Sequence, residues 1–330
     1  MTAKSRKAII ILSAVLVVLI AVGILTVMLP RLSKGGDENA PLCGIASPSA
    51  LSWSGGGTGE CSFTLDGGVW YYTENRDYPI KQSSVTQIVS SLSGLIPTRT
   101  FAPSEALSSY GLDPAEHTLT ARDESGNAFT LYIGSLAGEK LCYAMTGDSD
   151  DIYVISYDLQ ELLSDSVYEM IDGETVSAPS ASDITALKIT QGNISASFTQ
   201  NDGGWYYLTE SGEYVPEEEF SAVGSAGEEH TVRKYLNDIE AVLSSLRSSG
   251  CCGYLCTDEE LDAMGLGTSA LTAEFTMSDG SVKAYIIGSE FSDDSGGMYY
   301  YFTAPGLSGV YKMSSAAASA LFEAVSALGR

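Results

Sequence analysis

Histidine is almost missing from this 330-residue chain, which has only His117 and His230. His117 precedes a strand-like run and reads as a surface or turn residue. His230 stands at a helix start and reads as solvent-exposed. Neither has a recognisable Ser or Cys partner, so no nucleophile–base pair is visible. The H-E-x-x-H, G-x-S-x-G and Walker phosphate-loop patterns are also missing. "GGGTG" (Gly55 to Gly59) lacks the strand-to-helix setting and the following lysine of a phosphate cradle, so it reads as a loop. These absences point away from an enzyme and from a bound cofactor.

Positive charge is scarce too. All 42 acidic residues lie at or after Asp37, while five of the 17 basic ones (Lys4, Arg6, Lys7, Arg31, Lys34) lie before it. The remainder therefore sets twelve basic groups against 42 acidic ones, a net of −30. Such a surface repels phosphate backbones, which excludes nucleic acid as a partner. It also repels anionic lipid, except through the short basic N-terminus. Its plainest role is to keep an exposed domain dispersed.

Cysteine is sparse for the length. The six residues (Cys43, Cys61, Cys142, Cys251, Cys252, Cys256) do not form a dense disulfide framework. Cys251, Cys252 and Cys256 fall together in "CCGYLC" and read as a local disulfide or as free thiols. A metal site with His230 is the weaker reading, because adjacent cysteines fit one tetrahedron awkwardly. The acidic loops "GDSDD" (Gly147 to Asp151) and "FSDDSGG" (Phe291 to Gly297) carry oxygen ligands. They lack the full spacing of a calcium loop, so they read as solvated turns.

What the chain does have is one long apolar run, Ala8 to Leu29, 22 residues without a charge. At about 1.5 Å per residue such a helix reaches about 33 Å, enough to cross a bilayer core. Lys4, Arg6 and Lys7 before it favour an N-terminus inside. A cleaved signal peptide is the competing reading, but "VMLPRLSKGG" makes a poor cleavage site. The expected layout is a cytoplasmic tail and transmembrane anchor (1–34), then a tether (35–49). The bulk of the chain would lie outside the cytoplasmic membrane.

Beyond the tether the sequence repeats itself. Trp70-Tyr71-Tyr72 matches Trp205-Tyr206-Tyr207, each after a Gly-Gly. "SEALSSYGL" (Ser104 to Leu112) matches "DEELDAMGL" (Asp258 to Leu266). Gly111 to Gly134 and Gly265 to Gly288 are both 23 residues apart, through matching flanks. Two repeats follow, 50–172 and 183–330, joined by a Gly/Ser/Pro-rich linker at 173–182. The second carries an insertion with "GSAGEEH" and "SSGCCGYLC". Helical periodicity appears at "SSVTQIVSSLSGL" (Ser83 to Leu95) and "TVRKYLNDIEAVLSSL" (Thr231 to Leu246), and each half ends in a helix-like run, "YDLQELLSDSVYEMI" (Tyr157 to Ile171) and "SAAASALFEAVSALG" (Ser315 to Gly329). Hairpins with alternating residues surround them. The expected fold class is α+β: an N-terminal transmembrane helix, then two tandem repeats, each an antiparallel sheet with packed helices. In "WYY", successive residues point to opposite faces of a strand, so core and turn roles explain the motif. "MYYYFTA" (Met298 to Ala304) is the unusual surface candidate. A strand with Tyr299, Tyr300, Tyr301 and Phe302 in succession puts some of them on its outer face, as at protein and glycan interfaces.

Trp70, Pro79, the amphipathic helix, "YGLDP" (Tyr110 to Pro114) and the hairpin ending "LYIGS" (Leu131 to Ser135) together resemble the domain of unknown function 4340. The second half matches it more weakly: "MGLGTS" (Met264 to Ser269) lacks the proline, and the cysteine insertion is extra. The resemblance implies a bacterial protein with one N-terminal transmembrane helix and no assigned activity. It also implies an association with ABC transporters of the gliding-motility type. The expectation is a non-enzymatic accessory or scaffolding component of a cell-envelope or ABC-transporter assembly, with transporter or envelope proteins as partners. The alternative is a solute- or glycan-binding module that uses the tyrosine-rich strands.

Overall fold

The computed structural model describes residues 40–330, apart from 57–58, 175, 177–178, 210, 217–220, 224–228, 246–248, 294–295 and 329–330. Contacts gather the described residues into two units. One falls within Met1–Ser62 and Thr86–Ser164, the other within Phe63–Val85 and Asp165–Arg330.

The strands are, in chain order, β1 (Ala50–Gly55), β2 (Glu60–Asp66), β3 (Val69–Tyr72), β4 (Arg99–Phe101), β5 (His117–Arg122), β6 (Ala128–Gly138), β7 (Leu141–Thr146) and β8 (Ile152–Ser156). They form one eight-stranded sheet in the order β3-β2-β1-β5-β6-β7-β8-β4. The later strands are β9 (Ile184–Gln191), β10 (Ile194–Asn201), β11 (Gly204–Leu208), β12 (Tyr214–Pro216), β13 (Ser221–Val223), β14 (Glu229–Thr231), β15 (Ser249–Tyr254), β16 (Leu271–Met277), β17 (Val282–Ser292), β18 (Met298–Thr303) and β19 (Gly309–Ser314). All but β13 and β14, which pair with each other, join a nine-stranded sheet: β12-β11-β10-β9-β16-β17-β18-β19-β15. Apart from β12, the two large sheets have the same strand order.

Matching sequence produces matching geometry. In β3, Trp70 and Tyr72 are buried and Tyr71 is not; in β11, Trp205 and Tyr207 are buried and Tyr206 is not. The strand period of two places the outer pair of each triplet in the core. Tyr72 pairs across its hairpin with Phe63, and Tyr207 with Phe198, with ring centroids 5.6 Å apart in both. The turns that present them need two positive-φ residues, as two-residue hairpins do. These are Gly67 (φ 59°) and Gly68 (φ 85°) in the first, and Asp202 (φ 50°) and Gly203 (φ 81°) in the second. The two Gly-Gly pairs are therefore offset by one position, and Asp202 stands where Gly67 does.

The repeated 23-residue spacing has a steric cause. Gly111 and Gly265 end their short helical turns with φ near +70° (68° and 73°). Each turn then lies directly on the next β-bulge. A Cβ on Gly134 would run into the Tyr110 carbonyl, and one on Gly288 into the Met264 carbonyl. Both bulges fall at the same place, between Ile133 and Leu136 and between Ile287 and Glu290.

Among the described residues helices are few and short: α1 (Gln82–Ser93), α2 (Asp158–Leu163), α3 (Val232–Ser245), α4 (Asp258–Ala263) and α5 (Ser315–Leu328). In the second unit α5 buries Ala317, Ala318, Leu321, Ala324, Val325 and Leu328. Lys234 of α3 reaches Glu323 of α5 at 3.6 Å. In the first unit Leu51, Trp53, Leu119, Leu131, Ile88 and Leu159 form the buried core.

Two expectations are corrected. The fold is not α+β with packed helices but mainly β, dominated by two large antiparallel sheets. Only Asp158–Leu163 of the helix-like run from Tyr157 to Ile171 is α-helical, and the cysteine insertion contributes an edge strand, β15. The single-pass N-terminal anchor, with the chain outside the membrane, is corrected as well. No helix among the described residues is long and apolar enough to cross a bilayer. The longest, α3 and α5, have 14 residues, or about 21 Å against a core of about 30 Å. The Ala8–Leu29 run on which the anchor rested lies outside the described residues.

Candidate functional site

The tyrosine-rich strand β18 lies inside the second sheet, between β17 and β19. Its four aromatics therefore divide between two faces. Phe302 is 1% exposed and stacks on Tyr285 at 5.7 Å. Tyr300, on the same side, meets Phe322 of α5 at 5.2 Å. These two belong to the helix-covered core. Tyr299 and Tyr301 point the other way, and both are half-buried.

On that face, residues from three strands and one hairpin converge. Phe291 of β17 stacks on Tyr301 with centroids 4.2 Å apart and planes at 16°. It also meets Tyr299 at 6.1 Å. Lys312 of β19 lies over the Tyr299 ring at 5.3 Å. Its ammonium pairs with Asp293 at 3.1 Å, and the two side chains are only 22% and 16% exposed. The other carboxylate oxygen of Asp293 accepts the Gly297 N–H at 3.0 Å, which pins the hairpin. Burial works against the charged form of Lys312, but the Asp293 hydrogen bond and charge outweigh it and raise its pKa. Burial raises the Tyr301 phenol in turn. The acidic turn "FSDDSGG" is thus more than solvated: Phe291 and Asp293 build this face.

The three cysteines sit beside it on the edge strand and its exit. Cys251 is buried and its thiol donates to the Gly253 carbonyl at 3.2 Å. Cys252 and Cys256 are half-buried, and all three are thiols outside any disulfide, as are Cys43 and Cys142. Burial pushes the Cys251 thiol up to about 11 and Cys252 up to about 12, and raises Cys256. Protonated thiols of this kind are poor nucleophiles and poor ligands. Among the described residues no group of three His, Cys, Asp or Glu side chains could hold a metal ion.

Cys251 also lines a recess of about 460 Å³, within the second unit, with Lys81, Tyr168, Glu169, Glu174 and Tyr311. Glu174 comes from the expected linker. Its carboxylate accepts from the N–H groups of Ser308 (3.0 Å) and Gly309 (2.9 Å) and from the Tyr311 hydroxyl (3.0 Å). Tyr311 is 2% exposed, and burial leads the causes that raise its pKa. Lys81 donates to the Glu169 carbonyl at 3.1 Å. Near the recess Tyr78 stacks on Tyr72 at 5.5 Å and donates to the Tyr254 carbonyl at 3.0 Å. The acid and the phenol here are tied to each other and to backbone, an arrangement that holds the chain in place.

His117 is not a surface residue. It opens β5 opposite Gly55 and is 3% exposed, and among the described residues its Nδ1 has no hydrogen-bond partner. Burial lowers its pKa, opposed by Glu116. The side chain of His230 lies outside the described residues. Phe291, Asp293, Lys312, Glu174 and Tyr311 were not singled out by sequence; only the aromatic at Phe291 and the paired charges carried a signal, and a weak one.

Residues 70–269 match the family described as Domain of unknown function (DUF4340), and the chain belongs to that family. The match is one continuous span and does not itself mark two copies; the likeness of the halves rests on their repeated sequence, turns and sheet order. No curated protein and no solved structure gives a significant match.

Proposed function

We propose that this DUF4340 member is a non-enzymatic accessory or scaffolding component of a cell-envelope or ABC-transporter assembly. One observation carries the reading. The sheet face away from α5 presents half-exposed aromatics, Phe291, Tyr299 and Tyr301, around a fixed ion pair. Half-exposed aromatics beside a few fixed polar groups are what binding surfaces use. The groups that would otherwise suggest chemistry have structural work: Glu174 ties its segment to β19, and the thiols are held protonated.

The test is crosslinking in intact cells, then capture of the tagged full-length chain and mass spectrometry. Transporter or envelope subunits recovered in stoichiometric amounts support the reading. Recovery of the chain alone removes its main support.

A second reading, a solute- or glycan-binding module, has its own support. The near-parallel Phe291–Tyr301 stack, flanked by a carboxylate and an ammonium, suits a ligand with both an apolar face and hydroxyls. The two readings are compatible if the accessory component holds its target on this face.

A further inference from the structure

We infer that the face formed by Phe291, Tyr299, Tyr301, Asp293 and Lys312 is a subsite for a neutral saccharide. This rests on the binding-module reading above and narrows it to one ligand class.

The two halves supply the first argument. The Ile133–Ala144 and Ile287–Phe302 pairings fix equivalent positions. Tyr143 of β7 therefore corresponds to Tyr301 of β18. In the first unit Tyr143, itself half-buried, has two aromatic neighbours: Tyr110 meets it edge-on at 5.1 Å and Phe101 at 6.4 Å. Together with Leu107 and Met145 they pack against a small closed core. In the second unit Met264 follows the matching turn in place of Tyr110, and Gly253 pairs with Val310 as Phe101 does with Ile152. The aromatic covering of the first unit has no counterpart at these positions.

The second argument is the hairpin. Ten positions separate Gly134 from Ala144, but fourteen separate Gly288 from Phe302. The four extra residues belong to the loop that carries Phe291 and Asp293 onto this face. Gly297 in the same loop leaves room for Tyr299, since a Cβ there would lie 2.7 Å from the ring. The second half thus lacks these two aromatic neighbours and has an aromatic stack with an ion pair in their place.

The chemistry selects the ligand. A pyranose has an apolar C–H face and a rim of hydroxyls. The stacked rings offer flat π-surfaces to the first. The Asp293 carboxylate accepts from hydroxyls and the Lys312 ammonium donates to them, and their mutual 3.1 Å contact fixes both in advance. The net charge of −25 weighs against uronates, sulfated glycans and phosphorylated polymers. A neutral saccharide is the class that fits the stacked rings and the ion pair together.

The test uses the full-length protein with chitotetraose and cellotetraose as neutral probes and tetragalacturonate as the acidic one. Saturation-transfer NMR reads contact, and calorimetry reads affinity. At least one neutral probe should bind, and the acidic one at least tenfold more weakly at low salt. Phe291→Ala and Tyr301→Ala should each weaken binding at least tenfold, while Tyr301→Phe keeps the stack and loses less. Tyr206→Ala, half-exposed elsewhere in the second sheet, should leave binding unchanged. If Tyr301→Ala fails to fold, judged by its thermal melt, Tyr299→Ala and Phe291→Ala decide. Lack of binding by both neutral probes overturns the proposal, as does binding insensitive to these substitutions. If neither sugar binds but a protein crosslinks to this face in a Phe291-dependent way, the saccharide is wrong and the binding face stands. If no ligand responds to Phe291, both are wrong.

Discussion

Glu174 is the residue whose removal should be felt most out of proportion to its place in the sequence. Its carboxylate accepts three hydrogen bonds, from Ser308 N–H, Gly309 N–H and the Tyr311 hydroxyl, at 2.9–3.0 Å. A hydrogen bond to a charged group contributes about 1.5–3 kcal/mol, and contributions to one group are not additive. The adjoining recess lets water reach some of the orphaned donors, which lowers the cost. Tyr311 lines that recess, so the N–H of the buried Gly309 is the donor least able to find water. Glu174→Ala should therefore destabilise the start of β19 by about 2–4 kcal/mol, and Glu174→Gln, which keeps one oxygen, by about 1–2 kcal/mol. Because two units need not unfold together, local exchange is the better assay. The amides of Ser308 and Gly309 should exchange about 30-fold faster or more in the alanine variant, the equivalent of about 2 kcal/mol. Exchange within threefold of the parent would show that the carboxylate does not hold this strand, and the argument would fail.

Three further outcomes follow from the same geometry. Gly288→Ala forces a Cβ onto the Met264 carbonyl and should cost about 1–3 kcal/mol in urea unfolding; Gly280→Ala, with open space around it, lacks the clash and should differ mainly through its positive φ. His117 has a native pKa below its ordinary 6.5, so the unfolded chain takes up its proton first as pH falls. Its contribution is complete above the unfolded pKa and is lost on acidification toward the native one, with a slope of up to about 1.4 kcal/mol per pH unit. The stability difference between the parent and His117→Gln should shrink from pH 7.5 to 5.5, and a constant difference would refute this. The burial-raised thiols of Cys251 and Cys252 should react slowly with a disulfide reagent at pH 8 in the native protein and rapidly in denaturant; fast native labelling at either position would contradict their assigned environment.

Where the sequence carried a period, the structure was legible. The apolar spacing of Val85, Ile88 and Leu92 and of Val232, Tyr235, Leu236 and Ile239 announced α1 and α3 to within a residue or two. The aromatic triplets announced β3 and β11 and the opposite facing of successive side chains, but not which of them enter the core. Other elements hid for physical reasons. Cys251, Cys252, Gly250 and Gly253 disguise β15 as a loop, because an edge strand with bulges shows no alternation. The run from Tyr157 to Ile171 looked helical throughout, but only its first turns are. His117 looked exposed because its burial comes from a distant strand, at Gly55. Glu174 had no local signal either: its segment has linker composition, and its partners lie more than 130 residues away. Of the candidate face, Tyr299 and Tyr301 were visible as part of an aromatic run. That such a run divides between two faces was visible too, but which pair α5 covers was not, because that depends on the helix docking.

The account rests on one face of β18 being where a target binds. A photo-crosslinking aromatic in place of Tyr299, which shares its face with Phe291, tests this in intact cells against the same residue in place of Tyr206, on strand β11. Both tyrosines are half-exposed, which removes accessibility as the explanation. The account predicts a discrete adduct from position 299 that is lost with Phe291→Ala, and none from position 206. An adduct from 206 alone, or one at 299 that survives Phe291→Ala, would contradict it.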